Sequence, residues 1–372
     1  MNTIPPLDLA RQYRQIDAEA SAAALEVLRS GRYIGGAAVA DFEQAFARYT
    51  GTAHCVACNS GTDALYLALR ALEIGPGDAV IVPPFTFIAT AEVVSAVGAT
   101  PVFVDIDLET FNLDLGQVEA ALTPQTRAII PVHLFGRPLD MTALGALAAA
   151  HDLTIIEDCA QATGAQWGDR RVGSFGRIGC FSFFPTKNLG ACGDGGAMTT
   201  EDPDLAATLR MLREHGQRER YRHDAIGVNS RLDTLQAVLL RVKLRYLDRW
   251  NQQRDRAAAR YQELLAPLPK LALPTSPPAG QAVWNQYTIR LVGAQGQERD
   301  RLREALQARG VSSAVYYPLP LHLQPVYQSL NYPVGSLPVA ERACQEVLSL
   351  PMFPELQPEE QEQVAYALKD CL

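Results

Sequence analysis

LTIIEDCAQATGA (153–165) decides how this chain is built. Apolar residues dominate LTIIE (153–157), an aspartate follows at 158, and small residues then turn the chain. A strand that is apolar on both faces is buried on both, as in parallel sheets covered by helices. The same kind of segment recurs upstream as HCVAC (54–58), AVIV (79–82), PVFVDI (101–106) and RAIIPVHLF (127–135). Helical patterns over 62–72, 88–97, 115–122 and 140–151 separate them, after a long amphipathic helix over 8–29 that stops at Gly31. Downstream, IGCFSFF (178–184) and GGAMTT (195–200) flank a glycine-rich link, and helices follow over 203–215 and 232–262. This alternation predicts an α/β fold with a mostly parallel sheet.

The proline-rich stretch LLAPLPKLALPTSPPAGQ (264–281) breaks the pattern and reads as a connection. Beyond it lie a predicted strand over 282–292, a helix over 297–309, a short strand over 311–318 and two C-terminal helices. The expected organisation is a large domain over 1–245 and a small α+β domain over 246–372.

Composition narrows the function classes. The 372 residues are 48% hydrophobic and 20% charged, so a folded chain with a sizeable core is expected rather than disorder or a coiled coil. The net charge of −8 opposes binding to a nucleic-acid backbone. No apolar run reaches membrane-spanning length, and the start MNTIPPLDLARQYRQ lacks a signal-peptide pattern, so a cytoplasmic location is expected. The seven cysteines are odd in number and mostly sit in apolar or glycine-rich runs, as reduced thiols do. Cys55 and Cys58 form one CxxC without a second pair or nearby histidines, so no metal is expected and both read as small buried residues. The six histidines show no ligand spacing, and neither a dinucleotide fingerprint nor a phosphate-binding P-loop nor a GxSxG elbow is present.

Three features point to chemistry. Asp158 ends a buried strand, where ligands gather in parallel sheets; the plain alternative is a helix N-cap. Lys187, in FSFFPTKNLGACGDGGA (181–197), lies between an apolar strand and glycines. Desolvation there would favour the neutral amine; the alternative is a lysine reaching out to solvent. Ser182 lies five residues earlier, where packing alone would also explain it. In SGTDALYLAL (60–69), Gly61, Thr62 and Asp63 open a helix whose free amides suit a phosphate, or simply a cap. Together these are the parts that pyridoxal phosphate needs: a lysine for the Schiff base, a carboxylate on the pyridinium nitrogen and a phosphate cup.

GTDALYLAL, PPFTFIATAEVV (83–94), PVHLFGRPLDM (131–141), EDCAQATGA, FSFFPTKNLGACGDGGA and NSRLDTLQA (229–237) together resemble the DegT/StrS family of sugar-nucleotide aminotransferases. The resemblance implies the fold-type I architecture, with a large domain built on a seven-stranded-type sheet, a small C-terminal domain and a homodimer with shared active sites. It implies pyridoxal 5′-phosphate as cofactor, Lys187 as the Schiff-base lysine and Asp158 as the pyridinium partner. By the same motifs Gln161 matches the residue near the cofactor's phenolic oxygen. Gly61, Thr62, the Asp63 backbone and Ser182 match the phosphate cup, and Asn229 an asparagine given to it by the neighbouring subunit. Phe87 matches the aromatic stacked on the ring; Phe85 competes for that role, and either could be core. Arg231 suits a substrate carboxylate or a structural ion pair. Tyr317 and His322, in YYPLPLHLQ (316–324), match a loop that reaches the sugar-nucleotide pocket, or form a rigid surface loop.

The resemblance further implies transfer of the amino group of L-glutamate to a nucleotide-linked keto sugar. A 3-keto sugar is expected, either a dTDP-3-keto-6-deoxyhexose or a UDP-linked 3-keto sugar or uronate. The alternatives are a 4-keto sugar-nucleotide or cyclitol aminotransferase and, in another class, a non-catalytic ligand-sensing regulator on the same fold. Some dehydratase relatives of that family carry histidine at the Lys187 position, so the lysine favours amino transfer.

Overall fold

The computed structural model describes residues 3–372. Helix α1 (Leu9–Ser30) starts where the Asp8 side chain accepts the Arg11 N–H. It ends at Gly31, whose φ of 68° is the left-handed conformation that glycine takes readily. Helix α2 (Ala37–Thr50) follows. Strands and helices then alternate: β1 (His54–Cys58), α3 (Gly61–Ala71), β2 (Ala79–Val82), α4 (Ala89–Ala96), β3 (Thr100–Phe103), β4 (Thr126–Ile129), α5 (Met141–Ala150) and β5 (Thr154–Asp158). A small hairpin of β6 (Gln166–Trp167) and β7 (Arg170–Arg171) leads to β8 (Ile178–Ser182) and β9 (Gly196–Thr200).

These strands form one seven-stranded sheet in the order β1-β9-β8-β5-β4-β2-β3. Only β9 runs against its neighbours, pairing Gly179 with Thr199 on one side and Val56 with Met198 on the other. Alternate residues of β1 serve opposite faces. Val56 belongs to one apolar core with Leu67, Val80, Ile156 and Met198, whereas Ala57 belongs to another with Phe42, Phe46, Phe181 and Phe183. Both faces are therefore dry, as the unbroken apolar strands predict.

Helix α6 (Pro203–Arg213), a second hairpin of β10 (Gln217–Glu219) and β11 (Arg222–His223), and helices α7 (Thr234–Leu244) and α8 (Leu247–Leu265) follow. The final third holds β12 (Leu271–Ala272), β13 (Tyr287–Leu291), α9 (Gly296–Ala308), α10 (Pro338–Glu346), β14 (Val347–Leu350) and α11 (Pro358–Cys371). Strands β12, β13 and β14 make an antiparallel sheet with its own core, including Tyr261, Ile289, Leu306, Phe353 and Leu368. Ile4 belongs to that core as well, and its N–H donates to the Gly310 carbonyl at 2.8 Å.

Several elements differ from the sequence expectation. The helix expected over 115–122 is two single 3₁₀ turns, Leu115–Gln117 and Glu119–Ala121, because Asp114 takes the Gly116 N–H and i→i+3 bonds close each turn. The strand over 127–135 stops at Ile129, just ahead of Pro131, and the chain curls into a 3₁₀ turn at Leu134–Gly136. The 101–106 strand ends at Phe103. One helix over 232–262 is two, parted at Arg245 and Tyr246. Within 282–292 only Tyr287–Leu291 is strand, because the Val283 and Asn285 N–H groups bond to Gly136 and Phe135 instead. The segment 311–318 forms isolated bridges at Val311 and Ala314 rather than a strand.

Candidate active site

Six of the seven strands present their carboxyl ends at one edge of the sheet, the edge where parallel sheets bind ligands. The first turn of α3, just after β1, supplies Gly61, Thr62 and Asp63, and the loop after β5 supplies Gln161 beside the strand's last residue, Asp158. Ser182 closes β8, and Lys187 lies in the turn beyond it. Sheet topology thus gathers residues more than a hundred positions apart.

Asp158 is buried, at 4% exposure. Its Oδ2 accepts the Thr90 hydroxyl at 2.9 Å and its Oδ1 the Ala160 N–H at 3.1 Å. Burial raises its pKa above the ordinary 3.8, while the Ala160 N–H, Thr90 and the charge of Lys187 pull the other way. The Lys187 amine is pushed down to about 8 by burial, opposed by Asp158. Among the described residues, Lys187 Nζ has no hydrogen-bond partner. It is a desolvated amine facing a desolvated carboxylate.

Helix α3 starts against β8. A Cβ on Gly61 would lie 2.7 Å from Ser182 Cβ, so only glycine lets the helix end approach the serine this closely. Ser60 caps the helix, its Oγ accepting the Asp63 N–H at 3.0 Å. The Asp63 amide, expected in the phosphate cup, is therefore already engaged. The first-turn amides of Gly61 and Thr62 remain without partners among the described residues, beside the Ser182 hydroxyl, and suit an anion.

Gln161 accepts the Phe135 N–H on Oε1 at 2.7 Å and donates from Nε2 to the Tyr317 hydroxyl at 3.3 Å. Tyr317 is thus tied to the loop after β5, and burial raises its phenol pKa. Phe85 is fully buried against Phe111, Phe135 and Tyr317, whereas Phe87 is 56% exposed. Phe85 is core, which leaves Phe87 as the ring free to stack.

The remaining candidates lie apart. Asn229 is exposed, and its backbone bridges Glu214. Arg231 pairs with Glu214 at 3.1 Å, the structural ion pair that the sequence left open. Their neighbour Ser230 does reach the site's loops, its hydroxyl donating to Asn59 Oδ1 at 3.1 Å. His322 is fully buried, with Nε2 3.3 Å from Glu341 and its ring near Phe103 and Tyr332. Burial lowers its pKa, and in this single chain it packs in the interior rather than toward a ligand.

Sequence reasoning passed over the support behind Asp158. Glu157, with no exposure, accepts N–H groups from Gly173, Phe175 and Gly176 at 2.7–2.8 Å and the His133 Nε2–H at 3.1 Å. His133 Nδ1 accepts the Leu139 N–H at 3.1 Å, which fixes the tautomer with its proton on Nε2. The His133 N–H in turn donates to the Asp158 carbonyl at 3.1 Å. Although Cys159 lies close to this pair, the glutamate and both ring nitrogens are already engaged. The available signal was an acidic residue inside an otherwise apolar strand. Thr90, a threonine in a helix, gave none.

Burial pushes the Glu157 pKa up, but His133 and the Gly173 and Gly176 amides hold it below its ordinary 4.5. A depressed folded-state pKa contributes stability that is present above pH 4.5 and lost as pH falls through the folded value. Glu157→Ala is expected to lose about 3–5 kcal/mol at neutral pH by urea unfolding, with the difference shrinking in acid.

The DegT/DnrJ/EryC1/StrS aminotransferase family model matches residues 14–369. The chain belongs to that aminotransferase family. It is 49% identical to a "Pleiotropic regulatory protein" of Geobacillus stearothermophilus, covering 97% of this chain and 96% of that one. It is 50% identical to the dTDP-3-amino-3,4,6-trideoxy-alpha-D-glucose transaminase of Streptomyces venezuelae, over 95% and 92% of the two chains. It is also 50% identical to the UDP-N-acetyl-3-dehydro-alpha-D-glucosamine 3-aminotransferase of Acidithiobacillus ferrooxidans, over 99% and 98%. Among solved structures, S. venezuelae DesV in complex with a ketimine intermediate superposes with a TM-score of 0.96 at 48% identity, covering 100% of this chain and 98% of that one. The expected family and α/β fold thus both hold. In this aminotransferase no described helix is long and apolar enough to cross a membrane.

Proposed function

We propose that this aminotransferase uses pyridoxal 5′-phosphate to move the amino group of L-glutamate onto carbon 3 of a nucleotide-linked keto sugar. The observation that carries the reading is the desolvated Lys187 amine facing the buried Asp158 carboxylate. The cofactor fits the residues present. Lys187 has an unpartnered amine, Asp158 has a buried anion for a ring nitrogen, and the Gly61 and Thr62 amides beside Ser182 suit a phosphate. Gln161 and Phe87 complete the ring's surroundings, and Asn229 would come from the neighbouring subunit of a homodimer. The relatives named for 3-amino and 3-dehydro sugars support carbon 3, with dTDP or UDP as the nucleotide in this reading.

When bound, the cofactor supplies an electron-withdrawing ring that takes up the charge left on a deprotonated α-carbon. The protein's residues do the rest. Asp158 keeps the ring nitrogen protonated, since an opposite charge in hydrogen-bond reach shifts a pKa by about 1–3 units. Lys187 Nζ would take the proton from the glutamate α-carbon as a base and deliver it as an acid to C4′ of the cofactor, across the nitrogen from that carbon. A pKa of about 8 leaves both amine forms populated near neutral pH. In the second half, the keto sugar occupies the same place and the proton moves in reverse. Tyr317 borders this space through Gln161, whereas Arg231 would reach a substrate carboxylate only by leaving its pair with Glu214. The reading includes a boundary near residue 245 between a large cofactor-binding domain and a small domain, and a cytoplasmic setting.

Among the relatives' names, that of the regulatory protein favours a second reading, a ligand sensor on this fold. Incubating the purified chain with cofactor, glutamate and a panel of dTDP- and UDP-linked 3-keto and 4-keto sugars separates the two. Amine formed at carbon 3 supports the proposal. Amine formed only at carbon 4 corrects the position, and tight sugar-nucleotide binding without 2-oxoglutarate release supports the sensor.

A further inference from the structure

We infer that Asn188 is a positioning residue that sets the direction of the Lys187 side chain through a buried amide network anchored outside the lysine's own turn. The inference rests on Lys187 being the cofactor lysine, as proposed above. With no hydrogen bond to Nζ, the direction of Lys187 depends on its backbone. One side of the turn is closed by the Lys187 N–H donating to the Phe184 carbonyl at 2.8 Å. Gly190 closes it further on, where a Cβ would lie 2.3 Å from the Pro185 carbonyl oxygen.

The other side is held by Asn188, at 3% exposure. Its Nδ2 donates to Asn251 Oδ1 and to the Val283 carbonyl, both at 2.8 Å. Its Oδ1 accepts Asn285 Nδ2, also at 2.8 Å. Asn285 Nδ2 reaches the Thr186 carbonyl at 3.5 Å as well, so one amide meets both residues that flank Lys187. The anchors lie elsewhere. Asn251 donates to the Thr163 carbonyl at 3.1 Å, two residues beyond Gln161. The Asn285 N–H donates to the Phe135 carbonyl at 2.9 Å, and the Phe135 N–H is the one that Gln161 accepts. One turn along α8 from Asn251, the buried Arg254 donates to the carbonyls of Trp284, Asn285 and Met352 at 3.2, 3.4 and 2.9 Å. The segment that grips Asn188 is therefore itself clamped.

Buried amides cost free energy unless bonded, and when bonded they fix direction as an apolar filler would not. The network joins the lysine turn to the loop after β5 that carries Gln161, so both sides of the site share one rigid support. Without Asn188, the turn is free to swing the amine toward water.

The test uses the full chain freed of cofactor. Pyridoxal 5′-phosphate with cyanoborohydride captures the neutral amine covalently, and peptide mass reads capture at Lys187 against pH. The wild-type midpoint should follow the amine, at about 8. Asn188→Ala and Asn285→Ala should each raise that midpoint by about one unit. Capture at neutral pH then slows about tenfold, while the rate well above both midpoints stays at the wild-type value. Ser349→Ala, which breaks the Thr288–Ser349 hydroxyl bond of the small sheet, is the control for lost stability alone. It should lower the thermal midpoint and leave the pH midpoint in place. Folded variants with the wild-type midpoint overturn the role of Asn188, and Asn285→Ala decides alone if Asn188→Ala does not fold. A wild-type chain not captured at Lys187 sinks the cofactor-lysine reading, and this inference with it.

Discussion

Lys187→Ala is expected to lower amino transfer by about four orders of magnitude, measured as aminated sugar nucleotide formed in a single turnover. The variant loses the covalent anchor for the cofactor and the one base placed to move the α-proton. Burial lowers the Lys187 pKa and its Nζ has no hydrogen-bond partner among the described residues, so carrying the charge near neutral pH works against folding and the thermal midpoint of the cofactor-free variant should hold or rise. That separates a chemical loss from an unfolding one. A small primary amine added to the solution should restore part of the rate, because the truncated side chain leaves room for it. A loss of less than tenfold would take the lysine out of the chemistry.

Asp158→Asn should cost about a thousandfold in the same assay, the upper end of what a charge partner worth about 1–3 pKa units supplies. Asparagine keeps the shape and both hydrogen bonds, its oxygen accepting from Ala160 and its amide donating to the Thr90 hydroxyl. What it lacks is the charge. The sign of the stability change is the opposite of that for Glu157. Burial raises the Asp158 pKa above its ordinary 3.8, so holding it ionised at neutral pH works against folding. That penalty disappears as pH falls through the folded-state value. The cofactor-free asparagine variant should therefore resist urea better than wild type at neutral pH, with the gap closing in acid. A variant that loses both activity and stability would make Asp158 a structural residue. The expected pattern is the trade of stability for function seen at working sites.

The strands that place Lys187 and Asp158 were legible because burial on both faces leaves an unbroken apolar run. His54–Cys58, Ala79–Val82 and Thr154–Asp158 lie within a residue of their expected limits. The misses have particular causes. Over 115–122, a helical pattern was outcompeted by the Asp114 side chain and 3₁₀ bonding. At 282–286, an apolar run became a strap on the Leu134–Gly136 turn, a tertiary contact that no local pattern encodes. Helix α2 went unread although Phe42 and Phe46 pack under β8, because their spacing of four is one short repeat. In the site, charged residues at strand ends stood out. Neutral partners such as Thr90, Asn188 and Asn285 did not, since an amide or hydroxyl is ordinary anywhere until the fold buries it. His322 shows the converse, a conspicuous residue in a conspicuous loop whose side chain the fold turns inward to Glu341.

The pairing of Ile4 with Gly310 and Ser312 has a consequence for biosynthesis. The last strand of the seven-stranded sheet is complete at Thr200, whereas Val347–Leu350 and Pro358–Cys371 emerge from the ribosome far later. Translation proceeds at about 5–20 residues per second, so the segment around Ile4 waits many seconds for the companions it will dock against. A fusion partner placed ahead of Ile4 sits on the late-forming unit, and its linker must leave that closing step unobstructed.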